Sequence, residues 1–354
     1  MQFGLHYLLS CAEGQSPAQR YRDTLDQAIH AESLGFESVW PVEHHFNSAA
    51  SILPCPALFL AAVAARTSTI RLGTAIVQLP LAHPMRIAEE LATLDVLSGG
   101  RAEFGVGRGG NPSHFAGFGV PMSESRDRMV EALEYIRRAW TNDRFTFHGR
   151  FFQADDLALA PRPIQRPHPP IRVAANSPET AAWAGREGYP VFFASNVNPL
   201  PKLRELVPVY RRARAEAGHG GSVGGDLTLL MPVYVGDDRR RVEREVAPSV
   251  RQFAETAASV FQGLVARAPE AERPKLQAIV EQLCGMTYHS VNAVTGIFDT
   301  PSACVERLHQ IREEFNPGRV ICWFNFGGVI PHDQVMRSME LFSARVLPQF
   351  SGIH

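Results

Sequence analysis

The sequence predicts an α/β fold, an eight-stranded parallel barrel of the TIM class with two insertions. Three observations predict it. Strand-like and helix-like segments alternate from residue 2 to residue 347. The strand-like segments number eight, centred near residues 3, 38, 73, 104, 173, 192, 231 and 322. The length of 354 residues suits one such barrel running over 1–354, with insertions at about 141–170 and 237–299. The same alternation allows a doubly wound sheet, which stands as the alternative.

The elements follow in order. Gln2–Leu9 is an apolar run suited to a buried strand. Pro17–Leu34 has helical spacing, stops at Gly35 and leads into strand Glu37–Trp40. Pro56–Arg66 is apolar on every side, which predicts a helix buried all round. Strand Ile70–Leu79 precedes helix Pro84–Ser98, whose Ile87, Leu91 and Leu94 share a face and whose stop is Gly99. Strand Arg101–Val106 and a helix from Ser123 to Trp140 come next. Residues 141–170 break the rhythm with aromatic strand-like pieces and a proline-rich end, read as a hairpin and a linker. Strand Ile171–Ala175, helix Ser177–Gly188, strand Pro190–Ala194, helix Pro201–Ala217 and strand Leu227–Val235 restore it. Residues 237–299 are charged and partly helical, with no strand of their own. Helix Pro301–Phe315, strand Arg319–Phe326 and helix Asp333–Leu347 complete the count.

Composition narrows the function. Thirty-five basic against 36 acidic side chains give a net charge of −1, without the basic surplus that nucleic acid or an anionic membrane calls for. The longest clean apolar run, Ala57–Ala65, is nine residues, against the roughly 20 of a membrane helix. No basic residue precedes Arg20, so no signal peptide is readable. Five cysteines without a CxxC pair point away from disulfides and thiolate zinc, toward a reducing cytoplasm.

In a TIM barrel the chemistry sits where strands end at the C-terminal face. The polar residues placed there are Glu43-His44-His45, Gln78, Gly107–Gly110, Asn176-Ser177, Ser195-Asn196 and Asn325. Neighbouring histidines point apart, so one of His44 and His45 faces the site; an imidazole at a strand end suits general acid–base work. A metal reading finds only His83 to add, and no HxH or HExxH spacing. Ser177-Pro178-Glu179-Thr180 opens a helix directly after a strand. Taken alone it is a helix cap; with Arg108 and Arg126 it becomes a phosphate cradle of free N–H groups, hydroxyls and positive charge. Gly105–Gly110 matches G-x-G-x-x-G, but Asn111-Pro112 follows and the next helix is expected near Ser123, so it reads as a flexible loop at the barrel mouth.

Taken together, Trp40–Phe46, Leu72–Pro80, Ala82–Arg86, Leu94–Arg101, Phe104–Gly110, Asn176–Thr180 and the C-terminal Met339–Phe342 and Val346–Pro348 resemble the bacterial luciferase family of flavin-dependent monooxygenases, over essentially the whole chain. The resemblance implies FMN at the C-terminal mouth. Ser177 and Thr180 would hold its phosphate, with Asn176 beside them and Arg108 and Arg126 adding charge. Ala75-Ile76 matches a non-proline cis peptide behind the isoalloxazine ring, and His44 matches the catalytic histidine. It implies reduced FMN delivered by a separate NAD(P)H:flavin reductase, and oxygenation of a small organic substrate by O₂ through a flavin C4a-hydroperoxide. It also implies a homodimer through a helix bundle that includes Pro56–Arg66, and segment 237–299 as the lid. Gly107 stands where the luciferase α subunit has a reactive cysteine, Gly109–His114 differ, and His6 replaces a phenylalanine. Light emission from a long-chain aldehyde is therefore not implied. Ser98–Arg101 is shared with deazaflavin relatives, so F420-dependent hydride transfer is one alternative. A non-catalytic flavin-binding partner subunit is another, and the retained His44 and phosphate set argue against it.

Overall fold

A computed structural model describes residues 1–220, 225–266 and 268–350. The expected range 1–354 and the second insertion therefore include positions outside the described residues. Eight parallel strands form the barrel: β1 (Gln2–Tyr7), β2 (Ser38–Pro41), β3 (Arg71–Gly73), β4 (Ala102–Gly107), β5 (Ile171–Ala174), β6 (Val191–Ala194), β7 (Leu227–Val235) and β8 (Arg319–Trp323). Each pairs with the next in space, and β8 pairs with β1 and β7 to close the cylinder. The doubly wound alternative is excluded by that closure.

The barrel interior is filled by one large side chain where small ones make room. Trp40 is fully buried with Ala75, Phe192, Leu230 and Ile321. A β-carbon on Gly73 would collide with the Trp40 indole, and one on Gly105 with the Thr74 carbonyl. At the N-terminal end, the buried Glu103 carboxylate accepts Arg71 at 2.5 Å, Arg172 at 3.2 Å and Arg319 at 3.0 Å. Burial alone would raise its pKa, but Arg319, Arg172 and Arg71 hold it down at about 2. This end is a polar plug, consistent with a stabilising face opposite the chemistry.

Several expectations are corrected. The third strand is not continuous over Ile70–Leu79: Val77–Gln78 forms a second piece against β4, and the Ala75–Ile76 peptide between the pieces is cis. The physical reason is Thr74, whose hydroxyl donates to the Gly105 carbonyl at 2.8 Å and accepts the Gly105 N–H at 3.0 Å, replacing the backbone ladder. The stretch after β4 is not loop as far as Ser123, because Pro112–Phe118 is a helix. Asn111 caps it by accepting the Ser113 N–H at 3.0 Å, Pro112 takes the first turn, and Gly119 stops it at φ 67°. Helix Pro56–Ala64 is not buried all round in the single chain, since Leu58 is 73% exposed. The second insertion does carry a strand, Ile297–Asp299, parallel to the end of β7.

The insertions are tied to the barrel by identifiable groups. The expected hairpin is Phe145–His148 with Gln153–Leu157, antiparallel. The Glu131 carboxylate on helix Ser125–Thr141 accepts the backbone N–H groups of Arg150, Phe151 and Phe152 at 2.7–2.9 Å and holds its turn. The second insertion is mainly helix Arg239–Val265, followed by Arg273–Cys284 and Tyr288–Val294. Its Ser249 hydroxyl donates to the Phe326 carbonyl and accepts the Val329 N–H at 3.3 Å, anchoring the helix to the loop after β8. Among the described residues no helix is long and apolar enough to cross a membrane.

Candidate active site

Two adjoining cavities open at the C-terminal face. The larger, about 500 Å³, is lined by His44, Ile76, Gln78, Arg108, His114, Asn176, Ser177 and Thr180 among others. The second, about 240 Å³, is apolar, and shares His44, Gly110 and Asn111 with the first. His44 therefore stands at the junction of the two.

The loop after β2 delivers His44. Its backbone N–H donates to the Leu53 carbonyl at 3.0 Å, which fixes the chain direction. The expected divergence of the two histidines holds: His45 turns to Glu43 at 2.9 Å, whereas His44 faces the cavities and its buried Nδ1 has no partner. Burial, with His45 close by, pushes the His44 pKa down to about 4. The imidazole is thus neutral at pH 7 and available as a proton acceptor.

His114 was not legible as a site residue in the sequence. It lies buried on helix Pro112–Phe118, its ring 4.6 Å from that of His44 and nearly perpendicular to it. Gln78 donates through Nε2 to the Glu43 carbonyl at 3.0 Å, so its Oε1 is left to accept from His114 Nδ1 at 3.1 Å. His114 Nε2 then accepts the His45 N–H at 3.3 Å. This fixes a neutral tautomer, and burial, with His44 and His45 adjacent, pushes its pKa to about 4. Glu43, Gln78, His45 and His114 form one bonded frame behind His44. The Asn-Pro cap and the Gly119 stop were the available signal.

At the opposite end of the larger cavity, Ser177 caps helix Pro178–Arg186 by accepting the Thr180 N–H at 3.3 Å, and its hydroxyl meets the Thr180 hydroxyl at 3.2 Å. Asn198 holds Asn176 through its carbonyl and side-chain oxygen, both at 3.3 Å. Arg108 reaches the cavity with a buried Nε that has no partner. Arg126 lies outside the lining, but its Nη2 donates to the Glu179 carbonyl at 3.4 Å. The nearby acids are taken by others, Glu124 by Arg128 at 2.8 Å and Asp127 by Arg150 at 3.6 Å. The exposed Glu179 carboxyl is held below its usual range by its own N–H and the Ser177 hydroxyl, with Arg126 and Arg108 near. Ala75 packs beneath Ile76 and does not line the cavity. Ser195 and Asn325 are structural: Ser195 donates to Thr295 O at 2.5 Å, and Asn325 closes a turn with Ile330.

These residues fit FMN. The Arg108 and Arg126 guanidiniums and the helix N-terminus suit a phosphate. A β-carbon on Gly107, where the luciferase α subunit has a cysteine, would collide with the Ile76 side chain.

An eight-stranded barrel with an anion cradle and a mouth imidazole defines a class of barrel oxidoreductases, and the comparisons identify which. Residues 1–315 match the family model of luciferase-like monooxygenases, and the chain belongs to that family. It is similar to 4-hydroxyprotoasukamycin monooxygenase of Streptomyces nodosus subsp. asukaensis, at 28% identity over 96% of this chain and 89% of that one. It is 31% identical to the oxygenase component of the flavin-dependent trigonelline monooxygenase of Acinetobacter baylyi, over 53% of this chain and 52% of that one. Among solved structures, monooxygenase RslO1 of Streptomyces bottropensis superposes with a TM-score of 0.81 at 30% identity, covering 99% of this chain and 100% of that one. An F420-dependent secondary alcohol dehydrogenase shares the fold at a TM-score of 0.74 and 20% identity, covering 99% of each chain. The protein is a luciferase-like monooxygenase.

Proposed function

We propose that the protein is the oxygenase of a two-component system. It takes reduced FMN from a separate NAD(P)H:flavin reductase and uses O₂ to oxygenate a small organic substrate, working as a cytoplasmic homodimer. The observation that carries this reading is one continuous cavity joining an anion cradle at Ser177 to a neutral imidazole at His44. The relative named as an oxygenase component supports a separate reductase. The exposed Leu58 and Leu97 on neighbouring helices support the dimer.

When bound, reduced FMN supplies the electrons that activate dioxygen. Ser177, Thr180 and the helix N–H groups would hold its phosphate, with Arg108 and Arg126 supplying positive charge, and Ile76 would support the ring. His44 accepts and returns a proton at its imidazole, and the apolar walls exclude water from the reacting atoms. Helix Arg239–Val265 roofs the second cavity and acts as the lid.

Anaerobic titration with reduced FMN and reduced F420 tests the reading. FMN is expected to bind more tightly, and Ser177→Ala with Thr180→Ala to weaken it about 10- to 100-fold, as loss of hydrogen bonds to a charged group predicts. Tighter F420 binding, or unchanged FMN affinity in the double variant, contradicts it.

A further inference from the structure

The apolar cavity is walled on one side by a single face of helix Arg239–Val265, carrying Phe253, Thr256, Ala257, Val260, Phe261 and Leu264. Their spacing is that of one helical stripe. The N-terminal part of the same stripe, at Val242, Val246, Ser249 and Val250, is buried against the barrel. The stripe at 253–264 is only half-buried although five of its six side chains are apolar. Phe253 packs on Phe326 at a ring distance of 4.4 Å, and beyond it the stripe faces the cavity.

The lining contains no carboxylate, ammonium or guanidinium group. The Ser10 hydroxyl is committed to the Ala50 carbonyl at 2.5 Å, and Asn111 Oδ1 to Ser113. The other polar side chains of the lining are Thr256, whose hydroxyl accepts Gln252 Nε2 at 3.3 Å, and the His44 imidazole. A charged group entering would lose its hydration with nothing to replace it. An uncharged one gains about 25 cal/mol per Å² of apolar surface buried. The volume of about 240 Å³ lies below the roughly 300–1,000 Å³ of sites for drug-sized ligands.

We propose that this cavity is the substrate site, and that it selects compact, uncharged, largely apolar molecules bearing one hydrogen-bonding group toward His44, with the 253–264 stripe setting specificity. The assignment rests on the adjoining cavity holding flavin, because His44, Gly110 and Asn111 line both.

A matched pair of probes tests it: 4-tert-butylcyclohexanone and 4-tert-butylcyclohexanecarboxylate, titrated calorimetrically into the whole protein with FMN present and absent. The ketone is expected to bind at least about tenfold more tightly, a difference of about 1.4 kcal/mol. Val260→Arg is expected to abolish ketone binding and admit the carboxylate. Val260→Phe, which fills space without adding charge, is expected to weaken the ketone about tenfold, and covers the case in which the arginine variant does not fold. Equal binding of the two probes, or unchanged ketone affinity in Val260→Phe, overturns the proposal. The FMN titration separates the two readings: selective ketone binding without FMN binding sinks the flavin assignment and upholds this cavity. FMN binding without probe selectivity does the reverse.

Discussion

At the scale of single residues, His44 and the group behind it carry the chemistry. His44→Ala is expected to lower oxygenation by about 10²- to 10⁴-fold, the usual worth of a general acid or base, while reduced-FMN affinity stays nearly constant. Product formed per flavin oxidised is the measurement, and equal turnover removes His44 from the mechanism. His114→Phe keeps a ring against His44 but leaves Gln78 Oε1 and the His45 N–H without their partner. A loss of about 1–3 kcal/mol in chemical denaturation is expected, with more flavin oxidised unproductively. Wild-type stability in that variant makes the frame dispensable. His44 was legible because it ends a strand in a segment that resembles a known family. His114 was not. It reaches the site only because a seven-residue helix folds back over the loop after β2, and so short a helix has too little periodicity to be read. The role of Ser177 as a cap was visible from Ser-Pro after a strand.

At the scale of elements, barrel strands and most helices were readable because their apolar periodicity and their glycine and proline stops agree with the tertiary structure. The third strand misled, because Ile70–Leu79 is apolar throughout and nothing local announces that the Thr74 hydroxyl takes over the ladder with Gly105. Helix Arg239–Val265 carries a single apolar stripe, and only packing decides that its N-terminal part is buried while its 253–264 part lines the cavity. The buried part is locked by Ser249, which bonds both Phe326 and Val329. Ser249→Ala is therefore expected to cost about 1–3 kcal/mol and to speed amide exchange along this helix, without weakening FMN. Exchange as slow as in the wild type shows that the helix is held by its apolar stripe alone.

At the scale of the whole molecule, the closed barrel separates a stabilising end from a reactive one, and burial of uncharged histidines at the reactive end makes stability depend on pH. His6 is pushed down by burial to about 3, and His44 and His114 to about 4, from an ordinary 6.5. The unfolded chain takes up these protons below pH 6.5 and the folded one does not. Their contribution is full above 6.5 and is lost as the pH falls toward 4 and 3. Tm is expected to be flat near pH 7.5 and to drop between 6.5 and 4, with a shallower drop in His6→Phe; a flat Tm across that window contradicts the neutral buried histidines. The barrel class was legible from the alternation of elements alone. The exposure of Leu58 was not, because an apolar helix looks the same whether its outer face meets the core or a second chain. A crystal structure of the protein soaked with FMN measures directly whether one cavity holds flavin between Ser177 and His44. The phosphate is expected within hydrogen-bond distance of Ser177, Thr180 and Arg108, with the ring over Ile76 and facing His44. A phosphate bound elsewhere, or a ring out of reach of the His44 imidazole, contradicts it.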